Sequence, residues 1–386
     1  MPQRPLVPDR APRPRLAHAA PELWSGGGAP AADPMPGSGR PARPAPGLAP
    51  LPAPLIDIDD LRDAAERLRG HAVRTPLIEA EALSARVGRR VFLKVESLQR
   101  TGSFKFRGAY NRLSRLDEDQ RRAGVVAWSS GNHAQGVAAA ARLLDMPAII
   151  VMPADAPAIK TRNTRALGAE IVPYDRRRES REAIARLIAE RRGAVLVPSF
   201  DDLLVMAGQG TVGLEIVAQT CAAGGSVGQV LVPCGGGGLI AGVATAIRTA
   251  LPEARIHPVE PAGFDDTARS LASGRQESVR DGARSVCDAL LAPAPGELTF
   301  EVNRRLLSHG LTVDDDAVRA AMRFAFETLK LALEPGGAVA LAALLSGAVP
   351  RGDGDVVAVL SGGNVDPGAF AEILARAPRP DADPFV

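Results

Sequence analysis

Four times in this chain a short β-branched apolar run stops abruptly at small polar residues, and a helical pattern follows. VVAW (residues 125–128) runs into SSGNHAQG, VLVP (230–233) into CGGGGLIAG, IHPV (256–259) into EPAGFDD, and VVAVL (356–360) into SGGN. Each reads as strand, loop and helix start. Between them the alternation continues. The spacing predicts an acid-capped amphipathic helix over 57–70, strands at 91–96, 148–152, 171–174 and 194–198, and helices after residue 105, over 158–167 and over 180–192. Strands separated by helices of this length form parallel sheets covered on both faces, an α/β fold. In open α/β sheets ligands bind outside the carboxyl ends of the strands, so the four loops can converge on one site.

One lysine stands out beside these loops. Only four of the 46 basic residues are lysines (Lys94, Lys105, Lys160 and Lys330), and Lys105 lies between two aromatic rings in TGSFKFRGA. Amines can deprotonate and form Schiff bases, which guanidiniums cannot do. The run Gly235, Gly236, Gly237 and Gly238 follows a predicted strand and opens a helix. Glycines there let main-chain N–H groups crowd an anion, and the helix start adds its positive end. There is no GxGxxG and no GxxxxGK[ST], so the loop suits one phosphate monoester better than a dinucleotide or a triphosphate. A Schiff-base lysine with one phosphate cradle implies pyridoxal phosphate.

The blocks ESLQRTGSFKFRGA, SSGNHAQGVA, AGQGT, PCGGGGLIAG, VEPAG, EPGGA and LSGGN occur in this order between about Ile56 and Pro367. Together they resemble the serine/threonine dehydratase and serine racemase family, fold type II of the pyridoxal phosphate enzymes, with a tryptophan synthase β-like fold of two open, mostly parallel sheets covered by helices. The resemblance implies a large domain from residues 55–92 and 198–386, with a small domain, 93–197, inserted in it. It assigns Lys105 as the Schiff-base lysine and α-proton base, with Phe104 packed near the cofactor ring. Asn132 would bind the phenolic oxygen, Gly235 to Gly238 with Leu239 the phosphate, and Ser361 would face the pyridine nitrogen. Ser129, Ser130, Gly131 and His133 would take the substrate carboxylate at a helix N-terminus, where a serine could instead be a simple helix cap. Ser130 would also be the acid or base needed for racemisation.

A hydroxyl at the pyridine nitrogen supplies no formal charge, which makes the ring a weaker electron sink and favours rapid β-elimination. The expected reaction is dehydration of L-threonine to 2-oxobutanoate and of L-serine to pyruvate, with release of ammonia. Serine racemisation and dehydration of threo-3-hydroxyaspartate are the alternatives, and a non-catalytic pyridoxal-phosphate-binding protein is a third. By resemblance, Glu260, Asp266 and the Phe264 carbonyl would hold Mg²⁺ or another cation, against the plainer reading of two acids at a helix start. The segment SVCDALLAPAPG (285–296) departs from the more frequent family pattern and leaves the substrate range open.

Composition limits the partners. A formal net charge of +2 points to no nucleic acid or anionic membrane. No stretch of about 18 apolar residues suggests a membrane span. Three cysteines without metal spacing fit a reducing, cytoplasmic setting, and Cys234 reads as a packed thiol. The first 54 residues hold fifteen of the 33 prolines and are expected to be a disordered extension. The partners expected are a small amino-acid substrate and further copies of the chain, as a homodimer or homotetramer.

Overall fold

The computed structural model describes residues 54–156 and 158–377. The extension expected over residues 1–54 lies, up to Ala53, outside them. Ten strands form two sheets: β1 (Leu77–Glu79), β2 (Val91–Val95), β3 (Val125–Trp128), β4 (Ala148–Pro153), β5 (Glu170–Tyr174), β6 (Val195–Leu196), β7 (Val227–Pro233), β8 (Arg255–Pro261), β9 (Leu311–Val313) and β10 (Asp355–Leu360). The six-stranded sheet runs β1-β2-β10-β7-β8-β9 and the four-stranded sheet β5-β4-β3-β6. Every pairing is parallel except the short β1 against β2. The expected α/β architecture of two mostly parallel sheets is therefore present. The division expected at residue 93 cuts β2, which pairs with β10 in the larger sheet. The chain thus moves to the four-stranded sheet only after Val95.

Successive strand side chains point to opposite faces, and burial follows that rule. Val356, Ala358 and Leu360 of β10 face one core with Leu93, Leu231 and the helix Pro335–Leu345, whose residues are all buried. Val357 and Val359 face another, with Val230, Ile256 and Ile240. A helix apolar on every side belongs inside a large core. In the smaller sheet Val125, Ala127 and Ile150 pack on the helices Lys105–Leu113 and Asn132–Leu143, whereas Val126, Ile149 and Val151 pack on Arg181–Arg192. Close helix approach demands glycine at two places. A Cβ on Gly108 would lie 2.4 Å from Gln209 Nε2, and one on Gly242 would lie 2.3 Å from the Met206 carbonyl oxygen.

The helix that carries Lys105 is anchored by a buried ionic cluster. Arg107 donates to both oxygens of Glu96 at 2.8 Å and to Glu215 at 2.7 and 3.0 Å. Lys94 donates to Glu215 at 2.5 Å, to Gln219 at 2.8 Å and to the Thr75 carbonyl at 2.8 Å. Two cations thus meet two carboxylates; for Glu96 and Arg107 the pairing outweighs the burial that opposes their charges, whereas for Lys94 burial wins and lowers the pKa of the amine. Removing one partner leaves a buried charge without its counterion. Arg107→Met should lower the unfolding free energy by about 3–5 kcal/mol in urea titration; a loss under about 1 kcal/mol would mean that the cluster does not hold this helix.

Candidate active site

Three of the four strand-to-helix loops noted in the sequence converge on one cavity, and the loop after β8 does not line it. Strand β3 ends at Trp128, and the helix Asn132–Leu143 begins four residues later, with Gly131 at its N-cap. No side chain caps that helix, because Ser129 Oγ accepts instead from the Gly131 N–H at 3.2 Å, two residues on. The helix-capping alternative for Ser129 and Ser130 is thereby corrected: the local turn uses one hydroxyl, and the helix N–H groups remain available. Strand β7 ends at Pro233, and the helix Gly238–Ala250 begins after the glycine run. Strand β10 ends at Leu360, directly before Ser361.

One cavity of about 350 Å³, small enough for a cofactor and a small substrate, gathers these loops. Its lining includes Phe104, Lys105, Ser129, Ser130, Gly131, Asn132, His133, Gly235, Gly236, Gly237, Gly238, Leu239 and Ser361. Glu260, Phe264 and Asp266 are absent from that lining. Sequence reasoning missed Glu334, Ser199, Phe200, Lys160, Arg181 and Asp288, which line the cavity as well. Of these, Glu334 and Asp288 sat in blocks already noticed, EPGGA and SVCDALL; Lys160 and Arg181 come from the helices Ala158–Ala166 and Arg181–Arg192, and Ser199 and Phe200 from a loop, with no local signal for a site.

Lys105 opens its helix and its amine donates to the Ser199 carbonyl at 2.6 Å. Burial lowers its pKa to about 8, although the charge of Glu334 works in the opposite direction. The amine therefore has a substantial neutral fraction near physiological pH and can act as nucleophile or base. Its nitrogen stands 5.1 Å from the centre of the Phe104 ring. His133 Nε2 lies 2.9 Å from the Val197 carbonyl, which can only accept, so Nε2 carries the proton. Burial, followed by the nearby Lys105 charge, pushes the His133 pKa down to about 3 and keeps the ring neutral. Asn132 donates to Glu334 and accepts from Asn364 at 2.7 Å, which leaves its second amide hydrogen free for a ligand. Burial raises the Glu334 pKa to about 7 against the stabilising Asn132 hydrogen bond.

The residues present fit pyridoxal phosphate. Among the described residues, none of the main-chain N–H groups of Gly235 through Leu239 finds an acceptor within the protein. Five free donors at a helix N-terminus form a ready anion site. A Cβ on Gly236 would sit 2.4 Å from the Phe200 ring, and one on Gly238 would sit 2.9 Å from the Phe200 main chain, so only glycine passes here. Lys105 provides the amine, and Asn132 and Ser361 provide polar groups for the ring.

The acids proposed for a cation lie together, yet Glu260 is already engaged. Its two oxygens accept from the N–H groups of Thr267 and Ala268 at 2.9 and 2.8 Å, at the start of the helix Asp266–Ser273. Asp266 keeps one buried oxygen without a hydrogen bond. No group of three or more histidine, cysteine, aspartate or glutamate side chains able to hold a metal occurs among the described residues. Cys234 is buried and its thiol is pushed well above the usual range, chiefly by burial, as expected for a packed cysteine.

Burial, then the charge of Asp266, raises the Glu260 pKa from 4.5 to about 8, and burial raises that of Asp266 from 3.8 to about 7. A carboxyl whose folded pKa is raised contributes stability fully below its unfolded pKa, and that contribution is lost as pH rises through the folded pKa. The melting temperature in chelator should therefore fall between pH 4.5 and 8, and Glu260→Gln should flatten that slope. An unchanged slope in the variant would show that Glu260 does not titrate in this window.

The sequence of residues 68–362 matches the family described as pyridoxal-phosphate dependent enzyme. The chain is 46% identical over 320 residues to an L-threo-3-hydroxyaspartate ammonia-lyase of Pseudomonas sp, spanning 83% of this chain and 99% of the relative. It is 40% identical to an L-threonine ammonia-lyase of Thermotoga maritima, over 83% of this chain and 79% of that one. Its fold is similar to that of maize serine racemase, with a TM-score of 0.78 and 39% identity, covering 83% of this chain and 97% of the other. With the cavity, the buried amine and the free N–H cradle already in place, these similarities have one reading: the chain belongs to the pyridoxal-phosphate-dependent enzyme family, with the two-sheet fold of its type II ammonia-lyases and racemases.

Proposed function

We propose that this protein is an ammonia-lyase for small 3-hydroxy-2-amino acids, with threo-3-hydroxyaspartate as its preferred substrate. The observation that carries the substrate is a pair of cations in the lining of the cavity. Lys160 and Arg181 both line it, together with the residues proposed for the substrate carboxylate. Each now faces an acid of the protein: Lys160 donates to Asp288 at 2.5 Å and Arg181 to Glu182 at 2.8 Å. A second substrate carboxylate would compete with those acids for a charge-assisted hydrogen bond. L-Threonine and L-serine, the substrates expected from the sequence, would undergo the same elimination without that contact. The 46% identity to a hydroxyaspartate ammonia-lyase supports the same choice.

The chain's own groups suffice for the proton handling. Pyridoxal phosphate, when bound, supplies the electron sink that acidifies the substrate's α-carbon. The free N–H groups of Ser130, Asn132 and His133 would orient the α-carboxylate at the positive helix end. Lys105, with its pKa lowered to about 8, would take the α-proton and return it to the hydroxyl that departs from the β-carbon, which leaves as water. The released enamine becomes an imine, and water splits it to ammonia and a 2-oxo acid. Ser130 lines the cavity and caps no helix, which favours racemisation as a second activity. The same proposal keeps Glu260, Asp266 and the Phe264 carbonyl as a cation site, supported by the unpaired Asp266 oxygen.

The test is a panel of threo-3-hydroxyaspartate, L-threonine, L-serine and D-serine with the wild type, Arg181→Ala and Lys160→Ala. Hydroxyaspartate should give the highest kcat/KM. One or both variants should lose roughly 10- to 100-fold with it, the value of one charge-assisted hydrogen bond, while L-threonine turnover changes little. If threonine is preferred, or the variants lower both substrates alike, the dicarboxylate reading fails.

A further inference from the structure

The glycine loop does not hold its shape alone. The Gly236 carbonyl accepts from Thr299 Oγ1 at 2.7 Å and from the Gly296 N–H at 3.2 Å. The Gly237 carbonyl accepts from Asn303 Nδ2 at 3.3 Å, in addition to the Ala241 N–H of its own helix at 3.0 Å. Thr299 and Asn303 lie one turn apart on the helix Glu297–Leu306 and are completely buried. In a trans peptide the carbonyl of one residue and the N–H of the next point in opposite directions. Fixing the carbonyls of Gly236 and Gly237 toward this helix therefore turns the N–H groups of Gly237 and Gly238 away from it. These N–H groups are among the donors without an acceptor, and the loop lines the cavity.

The packing leaves the loop little other choice. Gly237 adopts φ +92°, and a Cβ there would lie 2.6 Å from Asn303 Nδ2 and 3.0 Å from Thr299 Oγ1. On its other side the loop rests on Phe200. The brace itself is fixed by the neighbouring Asp201, whose carboxylate accepts from the N–H groups of Glu297, Leu298 and Thr299 at 3.1, 2.9 and 3.1 Å. The carboxylate satisfies N–H groups that the helix start would leave without acceptors, and here it also seats the two side chains that grip the loop.

We propose that Thr299 and Asn303 are positioning residues that aim the N–H groups of Gly237 and Gly238 at the cofactor phosphate. The inference rests on the assignment of the glycine loop as the phosphate cradle and is independent of the substrate. It makes a specific claim: the two side chains matter for the phosphate and not for the ring or the amine.

The experiment compares the affinity of the full-length protein, stripped of cofactor, for pyridoxal phosphate and for pyridoxal, which lacks the phosphate. Binding is read from the visible absorption band. The wild type should favour the phosphate ester strongly. Thr299→Val, which keeps volume and removes the hydroxyl, should weaken pyridoxal phosphate roughly tenfold and leave pyridoxal unchanged; Thr299→Ser should restore the difference. Asn303→Ala provides the same reading if the valine variant does not fold. Equal weakening of both ligands would mean a merely structural role and overturn the proposal, as would an unchanged preference for the phosphate ester. A wild type that binds both ligands equally would instead remove the cradle assignment on which the proposal rests.

Discussion

The hydrogen bond from the Lys105 amine to the Ser199 carbonyl is the contact on which the site depends. It holds a desolvated amine at a fixed point, and it comes from a segment that performs two further tasks. Phe200, the next residue, underlies Gly236 and Gly238, and Asp201 caps the helix that grips their carbonyls. Three consecutive residues thus set the distance between the amine and the anion cradle. For a ligand that must engage both ends at once, that distance is the essential dimension.

The first turn of the Lys105 helix is fixed by ionic pairing. Arg107 lies two residues after Lys105, with its guanidinium shared between Glu96 and Glu215. Buried charge pairs contribute little net stability, yet they are costly to break and so fix one arrangement. The Lys105 amine stays out of this cluster. Its basicity is set by burial and by Glu334, which leaves it open to chemistry while Lys94, fully buried, is committed to Glu215.

Much of this was legible in the sequence because the relevant signals are local. Three of the four strand-to-loop junctions, the glycine run and the lone lysine between aromatics survive in the structure as cavity lining. Two three-residue strands, β1 and β9, escaped because three residues are too short to show a period. The boundary expected at residue 93 falls inside β2, because a strand pattern does not declare which sheet it joins. Glu334, Ser199, Thr299 and Asn303 were invisible as site residues for another reason: each acts through a partner far away in the chain. Glu334 meets Asn132 across 202 positions, and Asn303 meets Gly237 across 66.

The proposed role of Lys105 as the amine that carries the cofactor is directly testable because lysine is scarce. Reduction of the holoenzyme with borohydride, followed by peptide mass spectrometry, fixes the cofactor to whichever amine holds it. The adduct is expected on the peptide containing Lys105, with none at Lys94, Lys160 or Lys330. An adduct on any of those three, or an unmodified Lys105 in protein that retains the yellow cofactor, would contradict that role.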